Sequence, residues 1–400
     1  MNIGNFTHSL SKGGAEKVAA NISKIFCKNH QVKTFIEIDA HVDFDFCGEL
    51  YYLNLKSKVK FRIIKFEKIR KIYNFIANVL EFRRIKKKHN LDVCISHSSY
   101  MNLMNLLSKR SKRNIIVIHN YSHKASNKNK FKTYFSRFFL GIMYKKADLI
   151  VAVSQGIKTS LIDAFNIDSR NIKVIYNPVD YGEIQYLSEE KLSSKYHKLF
   201  DDYSIINVGG LRKVKGQANL IRAFAYVLNI YPKTNLFILG GGPEENRIRK
   251  LISELGITKN VFLLGFQKNP YKFIKKSKLF VLSSFHEGFP LSIIETMILS
   301  TPIIATNCEG PIEILAPNNK DLVSIEGIVN LDNGTFVPIG MSLNYNAKDS
   351  LSKEEELLSL AMLMHISGEI NSKLMVNSAR ERAKDFDINK ISIRWLSVLD

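Results

Sequence analysis

The stretch richest in chemically useful side chains carries two carboxylates eight residues apart. Glu287 follows an apolar run that predicts a strand, and Glu295 falls one turn into the next predicted helix. The residues that lead into this helix are Gly288, Phe289, Pro290, Leu291 and Ser292. Backbone N–H groups at a helix start bind anions, and carboxylates accept hydrogen bonds from hydroxyl groups. One element could therefore hold a diphosphate together with the hydroxyls of a sugar and a ribose.

A second segment, residues 208–216, places cations beside glycines between a predicted strand and a predicted helix. Arg212, Lys213 and Lys215 follow Gly210, a composition that suits a phosphate-binding loop. It is not a P-loop, because the spacing GxxxxGK[ST] is absent. A solvated group of surface cations is the alternative interpretation.

Two further glycine loops also stand between a predicted strand and a predicted helix. One contains Gly13 and Gly14, and the other is the run 240–245, which includes Gly242. Glycine lets a ligand approach the backbone closely, and a helix start favours an anion. The second loop lacks the full GxGxxG dinucleotide fingerprint, and an ordinary strand-to-helix turn explains either loop equally well.

The elements that must position these loops alternate between apolar strands and helical patterns. The predicted strands are residues 32–38, 93–97, 115–119, 149–154, 172–176, 205–209, 235–240, 261–264, 279–283 and 302–306. Helical patterns fall between them, for example at 15–27, 217–228 and 291–299. This alternation predicts an α/β fold with two doubly wound parallel sheets.

The regular alternation stops near residue 176 and restarts near residue 203. We therefore predict an N-terminal domain at 1–180, a linker at 181–203, a second domain at 204–383 and a C-terminal helix at 384–400 that packs back on the first domain. Ligands of such sheets bind beyond the carboxyl ends of the strands. The sequence thus predicts a site in the cleft between the two domains.

Composition excludes several classes of protein. The chain has 400 residues, of which 45% are hydrophobic and 24% charged, values that exclude disordered, collagen-like and coiled-coil proteins. Four scattered cysteines provide no local zinc or redox motif and indicate a reducing compartment. Neither a signal peptide nor a membrane-spanning run is recognisable, so we expect a cytoplasmic protein, free or on the inner face of the membrane.

The net charge of +21 predicts an acidic partner, either nucleic acid, phosphorylated metabolites or an anionic membrane. Residues 56–90 hold 13 cations and two acids, and residues 109–146 hold 11 cations and no acid. Apolar residues alternate with these cations, which predicts amphipathic helices. The basic faces are either solvated or lie against anionic headgroups.

Taken in order, the motifs resemble those of retaining glycosyltransferases of family 4, which have the GT-B fold of two Rossmann-like domains. Glu287 and Glu295 match the E-x7-E element of that family. The other matching segments are residues 13–17, 147–154, 174–180, 240–243, 261–266, 302–306 and 310–315. The resemblance covers nearly the whole chain. One departure is Gly210, where the family often has arginine; Arg212 is the candidate substitute for that charge.

The resemblance implies transfer of a sugar from a nucleotide-sugar to a glycan acceptor. Lys215 and Arg212 would neutralise the departing diphosphate, Glu287 would hold hydroxyls of the donor sugar, and His119 would contact the same sugar. Binding of the nucleotide-sugar is assigned to Glu295, Gly13, Gly14, Gly210, Gly242, Phe266, Gly288, Phe289, Pro290, Leu291 and Ser292. The family needs no metal and no side chain as general base. His97 is a lesser candidate on the acceptor side.

Partners follow from the same resemblance. Enzymes of this type often extend a glycan on a polyprenyl diphosphate lipid in bacterial surface polysaccharide synthesis, so we expect a UDP- or GDP-sugar, such an acceptor and an anionic membrane surface. Asp43-Phe-Asp45 and Asp385-Phe-Asp387 look like metal motifs of another fold, but neither follows a strand appropriately. A nucleotide-sugar epimerase and a nucleic-acid-binding protein are the alternatives; the second lacks any recognisable nucleic-acid-binding motif, and we expect no nucleic acid.

Overall fold

The computed structural model describes residues 1–37, 41–53, 55, 67–121 and 138–399, which divide into two compact units. The first unit comprises Met1–Pro178 and Ile388–Asp400, and the second comprises Val179–Asp387. Each unit is built around one seven-stranded sheet whose strands alternate with helices along the chain. The predicted α/β class is confirmed.

In the first unit all seven strands are parallel, in the order β3-β2-β1-β4-β5-β6-β7. They are β1 (Asn2–Phe6), β2 (Gln31–Glu37), β3 (Glu49–Leu53), β4 (Val93–His97), β5 (Arg113–Ile118), β6 (Leu149–Ala152) and β7 (Ile172–Val174). The helices are α1 (Gly14–Cys27), α2 (Glu67–Lys88), α3 (Ser99–Leu107) and α4 (Gln155–Phe165), and residues 138–144 are also helical. Strand order reverses between β1 and β4, where sheets of this kind bind ligands.

Aromatic packing holds α2 against the first sheet. The ring of Phe6 in β1 stacks on Phe35 of β2 with centroids 4.6 Å apart and on Phe82 of α2 at 5.2 Å. All three side chains are buried. Stacked rings contribute beyond their buried area, so the inward face of α2 is firmly attached to the sheet.

Lys86 of α2 does not lie on the basic face that the sequence predicts for this stretch. Its side chain is 1% exposed, and Nζ donates to the backbone oxygen of Asn105 at 2.9 Å and to the side-chain oxygens of Asn105 and Asn114 at 2.7 and 2.8 Å. Burial lowers the pKa of Lys86 to about 8. Three acceptors offset the cost of burying the ammonium group, so Lys86 is a structural residue. The apolar residues Phe131, Tyr134 and Phe135 of the other basic stretch lie outside the described residues.

The second sheet has the order β10-β9-β8-β11-β12-β14-β13, and only the β13–β14 pair is antiparallel. Its strands are β8 (Tyr203–Val208), β9 (Thr234–Leu239), β10 (Val261–Gly265), β11 (Leu279–Leu282), β12 (Ile303–Thr306), β13 (Val329–Leu331) and β14 (Gly334–Val337). The β13–β14 hairpin lies in the region 318–340, whose pattern predicted no strand. Strand order reverses between β8 and β11, as it does between β1 and β4.

The second unit also contains nine of the described helices. They are α5 (Tyr181–Ser188), α6 (Ser194–His197), α7 (Gln217–Ile230), α8 (Glu245–Glu254), α9 (Tyr271–Lys276), α10 (Leu291–Ile298), α11 (Glu309–Leu315), α12 (Lys353–Ser367) and α13 (Ser372–Ala383). A buried ion pair joins α7 to α12, with Arg222 Nε 3.0 Å from Glu355 Oε1. The guanidinium also donates to the backbone oxygens of Asn346, Asp349 and Ser350. These hydrogen bonds attach the irregular segment that precedes α12 to α7.

The stretch 181–203, predicted as a linker, is folded into the second unit. The side chain of Asp180 accepts a hydrogen bond from the backbone N–H of Glu183 and so caps α5. Ile184 is buried, and Asn269 Nδ2 donates to the backbone oxygen of Leu187 at 2.8 Å. Polar composition suggested a loop, but one buried apolar face is enough to attach a short helix.

The last helix, α14 (Ile388–Leu396), belongs to the first unit. Trp395 is fully buried and meets Phe26 of α1 edge-on, with ring centroids 6.2 Å apart. The chain thus returns to the first unit after completing the second. No helix in the described part of the chain is both long and apolar enough to cross a bilayer.

Candidate active site

Two loops at the carboxyl edge of the second sheet bring together Lys215 and Glu287, two of the three predicted catalytic residues of this unit. Lys215 follows β8 and Glu287 follows β11, the two strands between which strand order reverses. Nζ of Lys215 lies 2.5 Å from Oε1 of Glu287, and Oγ of Ser284 donates to the same oxygen at 2.6 Å. The side chain of Glu287 is 10% exposed and that of Lys215 is 25% exposed. The pair is therefore sheltered but reachable from solvent.

Gly216 allows the loops after β8 and β11 to approach each other. Its φ is +64°, and a Cβ on this residue would clash with the backbone oxygen of Ser283. The Ser283 hydroxyl donates to the backbone oxygen of Lys215 at 3.0 Å, and the N–H of Phe285 donates to Val214 O at 2.8 Å. These direct contacts place Lys215 beside Glu287.

The glycine loop after β9 packs on the loop after β8. A Cβ on Gly240 would clash with Gly209 O, and a Cβ on Gly242 would clash with Leu211 O. The N–H of Leu211 also donates to Gly241 O at 3.1 Å. Gly242 is thus required for contact between loops, a role distinct from the ligand contact that we predict for it.

Arg212 lies exposed beside Gly210. A Cβ on Gly210 would be 3.8 Å from Nε of Arg212, so the guanidinium group lies next to the position from which a side chain at residue 210 would extend. The arrangement places a cation near Gly210 although residue 210 itself carries none.

The predicted diphosphate segment leads into α10 from a nearly buried turn. Phe289, Pro290 and Leu291 are buried, Ser292 is half-buried, and Glu295 on α10 is buried. Phe266, directly after β10, is half-buried. The sequence thus placed Glu287 and Glu295 correctly on a loop and a helix.

Gly310 and Thr306 support this turn, although the sequence predicted only the motifs that contain them. A Cβ on Gly310 of α11 would lie 2.8 Å from Glu287 O and 3.0 Å from Gly288 O, so glycine lets α11 pack on this turn. The Thr306 hydroxyl donates to Ser284 O at 2.5 Å. The glycine in the predicted motif 310–315 was the available signal for the first contact.

Cys308 lies close to this site, but its thiol is not reactive. Burial and, secondly, the charge of Glu287 raise the pKa of its thiol. The thiolate is the nucleophilic form of cysteine, so Cys308 does not provide a nucleophile here.

At the carboxyl edge of the first sheet, His119 follows β5 and His97 ends β4. Nδ1 of His97 lies 3.0 Å from Nε2 of His119. Burial lowers the pKa of His119 to about 4 and that of His97 well below its usual value. Both imidazoles are therefore neutral near pH 7.

The first glycine loop precedes α1. A Cβ on Gly13 would clash with the carboxylate of Glu16, whereas a Cβ on Gly14 would meet open space. Gly13 therefore accommodates the folded-back Glu16 side chain at the helix start. Gly14 leaves space beside the same turn.

The second Asp-x-Asp triplet has structural contacts. Asp385 pairs with Arg382 at 2.7 Å, and the backbone N–H of Tyr181 donates to Asp387 at 3.4 Å. Over the described ranges, no three or more His, Cys, Asp or Glu side chains are grouped so as to hold a metal ion.

Comparison with known proteins gives the chain its family. The model described as Glycosyltransferase Family 4 matches residues 12–183, and the model described as Glycosyl transferases group 1 matches residues 188–329. The chain belongs to the GT-B glycosyltransferases of the family 4 type. The family predicted from the motifs is thereby confirmed.

Several relatives of this glycosyltransferase are also glycosyltransferases. An uncharacterised glycosyltransferase of Methanocaldococcus jannaschii is 38% identical over 263 residues, 64% of each chain. A Campylobacter jejuni enzyme, named N-acetylgalactosamine-N,N'-diacetylbacillosaminyl-diphospho-undecaprenol 4-alpha-N-acetylgalactosaminyltransferase, is 28% identical over 98% of this chain and 97% of its own.

Solved structures confirm the GT-B fold. HepE of Anabaena in complex with UDP-glucose has a TM-score of 0.72 at 18% identity and covers 100% of this chain and 99% of its own. The sucrose-phosphate synthase of Thermosynechococcus elongatus has a TM-score of 0.74 at 14% identity, with 99% and 98% covered.

Proposed function

We propose that this glycosyltransferase moves a sugar from a nucleotide-sugar to a glycan acceptor and retains the configuration at the anomeric carbon. The observation that carries the proposal is the Lys215–Glu287 pair at the point where strand order reverses in the second sheet. A cation and a carboxylate there suit a diphosphate and sugar hydroxyls respectively. The HepE complex, which contains UDP-glucose, supports a nucleotide-sugar donor.

In the proposed reaction the bond between the anomeric carbon and the diphosphate oxygen breaks. The acceptor oxygen bonds to the same face of that carbon, and the acceptor proton passes to the departing phosphate. Lys215 and Arg212 stabilise the negative charge that develops on the diphosphate, which is the main electrostatic task. Glu287 holds donor-sugar hydroxyls, and no side chain acts as general base.

The remaining residues bind the donor. Glu295 holds the ribose hydroxyls, and the turn from Gly288 to Ser292 receives the diphosphate. In the first unit, His119 accepts a hydrogen bond from a sugar hydroxyl, and the space at Gly14 leaves the start of α1 open to a ligand. Because two cations neutralise the diphosphate, the reaction proceeds without a bound metal.

We expect Glu295→Ala to weaken binding of the nucleoside diphosphate by roughly 10- to 150-fold, since a hydrogen bond to a charged group contributes about 1.5–3 kcal/mol. Isothermal titration calorimetry measures this loss. Glu254→Ala is the control, because Glu254 lies at the opposite end of α8 from the glycine loop and pairs with Lys250 on the surface. Equal affinity of wild type and Glu295→Ala would remove Glu295 from the nucleotide site.

The acceptor in this proposal is a glycan on a polyprenyl diphosphate lipid, used in bacterial surface polysaccharide synthesis. Two full-length Campylobacter jejuni relatives are named for undecaprenol-linked acceptors and for alpha linkages. A Salmonella typhimurium relative is named lipopolysaccharide 1,6-galactosyltransferase. A donor with an alpha-linked sugar that yields an alpha-linked product has retained its configuration.

A lipid-linked acceptor requires the enzyme to work at the inner face of the cell membrane, and α2 presents a suitable surface. Ile72, Ile76 and Leu80 lie one turn apart along the helix and are 61%, 53% and 58% exposed. The same face continues into exposed cations: Arg83, Arg84 and Lys87. We call these six residues the α2 stripe. Apolar and cationic side chains on one helix face suit an anionic bilayer.

We expect Arg83→Glu, Arg84→Glu and Lys87→Glu together to reduce binding to anionic vesicles by at least about 100-fold, because each cation contributes about 1 kcal/mol. Ile72→Ser, Ile76→Ser and Leu80→Ser should weaken the salt-resistant part of binding. Co-sedimentation at low and high salt measures both effects. Lys86 is left intact because it is buried.

A matched control changes an exposed apolar residue and its neighbouring cation on the second unit. Leu374→Ser with Lys373→Glu alters α13, where Leu374 is 68% exposed, and should leave vesicle binding unchanged. Vesicle binding that is absent at low salt, or that survives both α2 changes, would contradict the proposed docking surface.

A further inference from the structure

Three polar side chains, joined by hydrogen bonds, form a row that crosses the first sheet near its carboxyl edge. Nε2 of His97 lies 3.0 Å from Oδ1 of Asn5, and Nδ1 of His97 lies 3.0 Å from Nε2 of His119. Asn5 is 1% exposed and His97 is fully buried. Asn5 is in β1 and His97 ends β4, so the row of side chains spans the point where strand order reverses.

Asn5 determines the direction of both hydrogen bonds in this row. Its Nδ2 donates to Ala19 O at 3.0 Å, so its Oδ1 is the acceptor that faces His97. Nε2 of His97 must therefore carry the hydrogen. Because burial keeps the pKa of His97 well below its usual value, the ring is neutral and its Nδ1 is an acceptor.

The same reasoning extends to His119. Its Nε2 must donate to Nδ1 of His97, and the neutral ring then leaves its own Nδ1 without a hydrogen. This Nδ1 is buried and accepts no hydrogen bond from the residues that the structure describes. A buried acceptor without a partner costs about 1–3 kcal/mol, so folded proteins keep few of them. A hydroxyl hydrogen from a ligand would satisfy it.

We infer that Asn5 and His97 are positioning residues that hold His119 in the tautomer whose Nδ1 accepts a hydrogen bond from a sugar hydroxyl. The inference rests on the proposed function for the identity of the ligand, but the tautomer does not depend on it. The hydroxyl belongs to either the donor sugar or the acceptor sugar, and kinetics can distinguish these sources.

The test uses the full chain labelled with ¹⁵N in histidine, in which imidazole ¹⁵N shifts report the tautomer of each ring. His119→Gln identifies the His119 signals. We expect His119 in wild type to be wholly in the Nε2–H form. His119 in the Nδ1–H form or as a mixture of tautomers in wild type would overturn the inference.

Variants of His97 test the positioning role. His97→Leu removes both hydrogen bonds and should let His119 adopt both tautomers, whereas the amide of His97→Gln retains a donor and an acceptor and should restore the Nε2–H form. Ser96→Ala is the matched control, because Ser96 is equally buried on β4 but donates to Asn102, which is not part of this row. An unchanged His119 tautomer in folded His97→Leu would overturn the role of His97.

Kinetics then identifies the ligand. Loss of one neutral hydrogen bond should raise a KM by roughly two- to twelve-fold in His97→Leu and leave it near normal in His97→Gln and Ser96→Ala. A change in KM for the nucleotide-sugar assigns the hydroxyl to the donor, and a change for the glycan assigns it to the acceptor. If the tautomer shifts while neither KM changes, the hydroxyl contact is wrong. Wild type with the expected tautomer but no transferase activity would overturn the proposed function alone.

Discussion

Lys215→Ala should lower kcat by roughly 10²–10³-fold, the usual consequence of removing one charge that stabilises the transition state. The ammonium group of Lys215 forms an ion pair with Glu287 at the carboxyl edge of the second sheet, where the diphosphate departs in the proposed reaction. The same change should destabilise the fold only modestly, by about 1–3 kcal/mol, because Ser284 still donates to Glu287. Steady-state kinetics and thermal unfolding measure the two effects separately.

Lys213→Ala is the control for this change. Lys213 stands two residues earlier in the same short turn but is exposed, so its loss should alter stability by less than about 0.5 kcal/mol and leave kcat near wild type. Arg212→Ala should fall between the two, since its guanidinium lies beside Gly210. A Lys215→Ala enzyme at the wild-type rate would exclude Lys215 from the charge stabilisation.

Gly216→Ala should have the second largest effect, on both stability and rate. The positive φ alone costs about 1–2 kcal/mol for a residue with a Cβ. The clash with Ser283 O forces the loops after β8 and β11 apart, which adds about 1–3 kcal/mol. Displacing Lys215 from Glu287 by even 1 Å should reduce kcat/KM by about 100-fold.

Gly256→Ala separates the cost of the positive φ from the cost of the clash between the loops. Gly256 also has a positive φ, +71°, but a Cβ there would meet nothing within 4 Å. It should therefore show the conformational cost with no loss of activity. If the two alanine variants unfold at the same temperature and turn over at the same rate, the contact between the two loops does not matter.

Much of the fold was predictable because buried parallel strands leave continuous apolar runs. The strand predicted at 93–97 has the observed bounds of β4, and the helix predicted at 15–27 differs from α1 by one residue. The β13–β14 hairpin was missed because its strands contain only three and four residues among polar neighbours. Such short strands exist because they pair with an established sheet.

The site was predictable in composition but not in contacts. Each loop could be recognised from its glycines and charges, yet Lys215 and Glu287 are 72 positions apart, and only the strand order brings them together. The burial of Lys86 was not predictable, because its acceptors, Asn105 and Asn114, come from a different helix and strand. His97 left a signal as a polar residue at the end of a largely apolar strand, whereas Asn5 left none, because β1 also contains Asn2 and Gly4.

The central claim is retaining transfer from a nucleotide-sugar, and ¹H NMR of the reaction tests it most directly. The reaction contains EDTA, a polyprenyl diphosphate-linked glycan and the nucleotide-sugar that stabilises the protein most in a thermal-shift panel. We predict release of nucleoside diphosphate and a new anomeric signal on the glycan with the configuration of the donor. An inverted anomeric signal, or a new nucleotide-sugar with no glycan product as an epimerase would give, would contradict the claim.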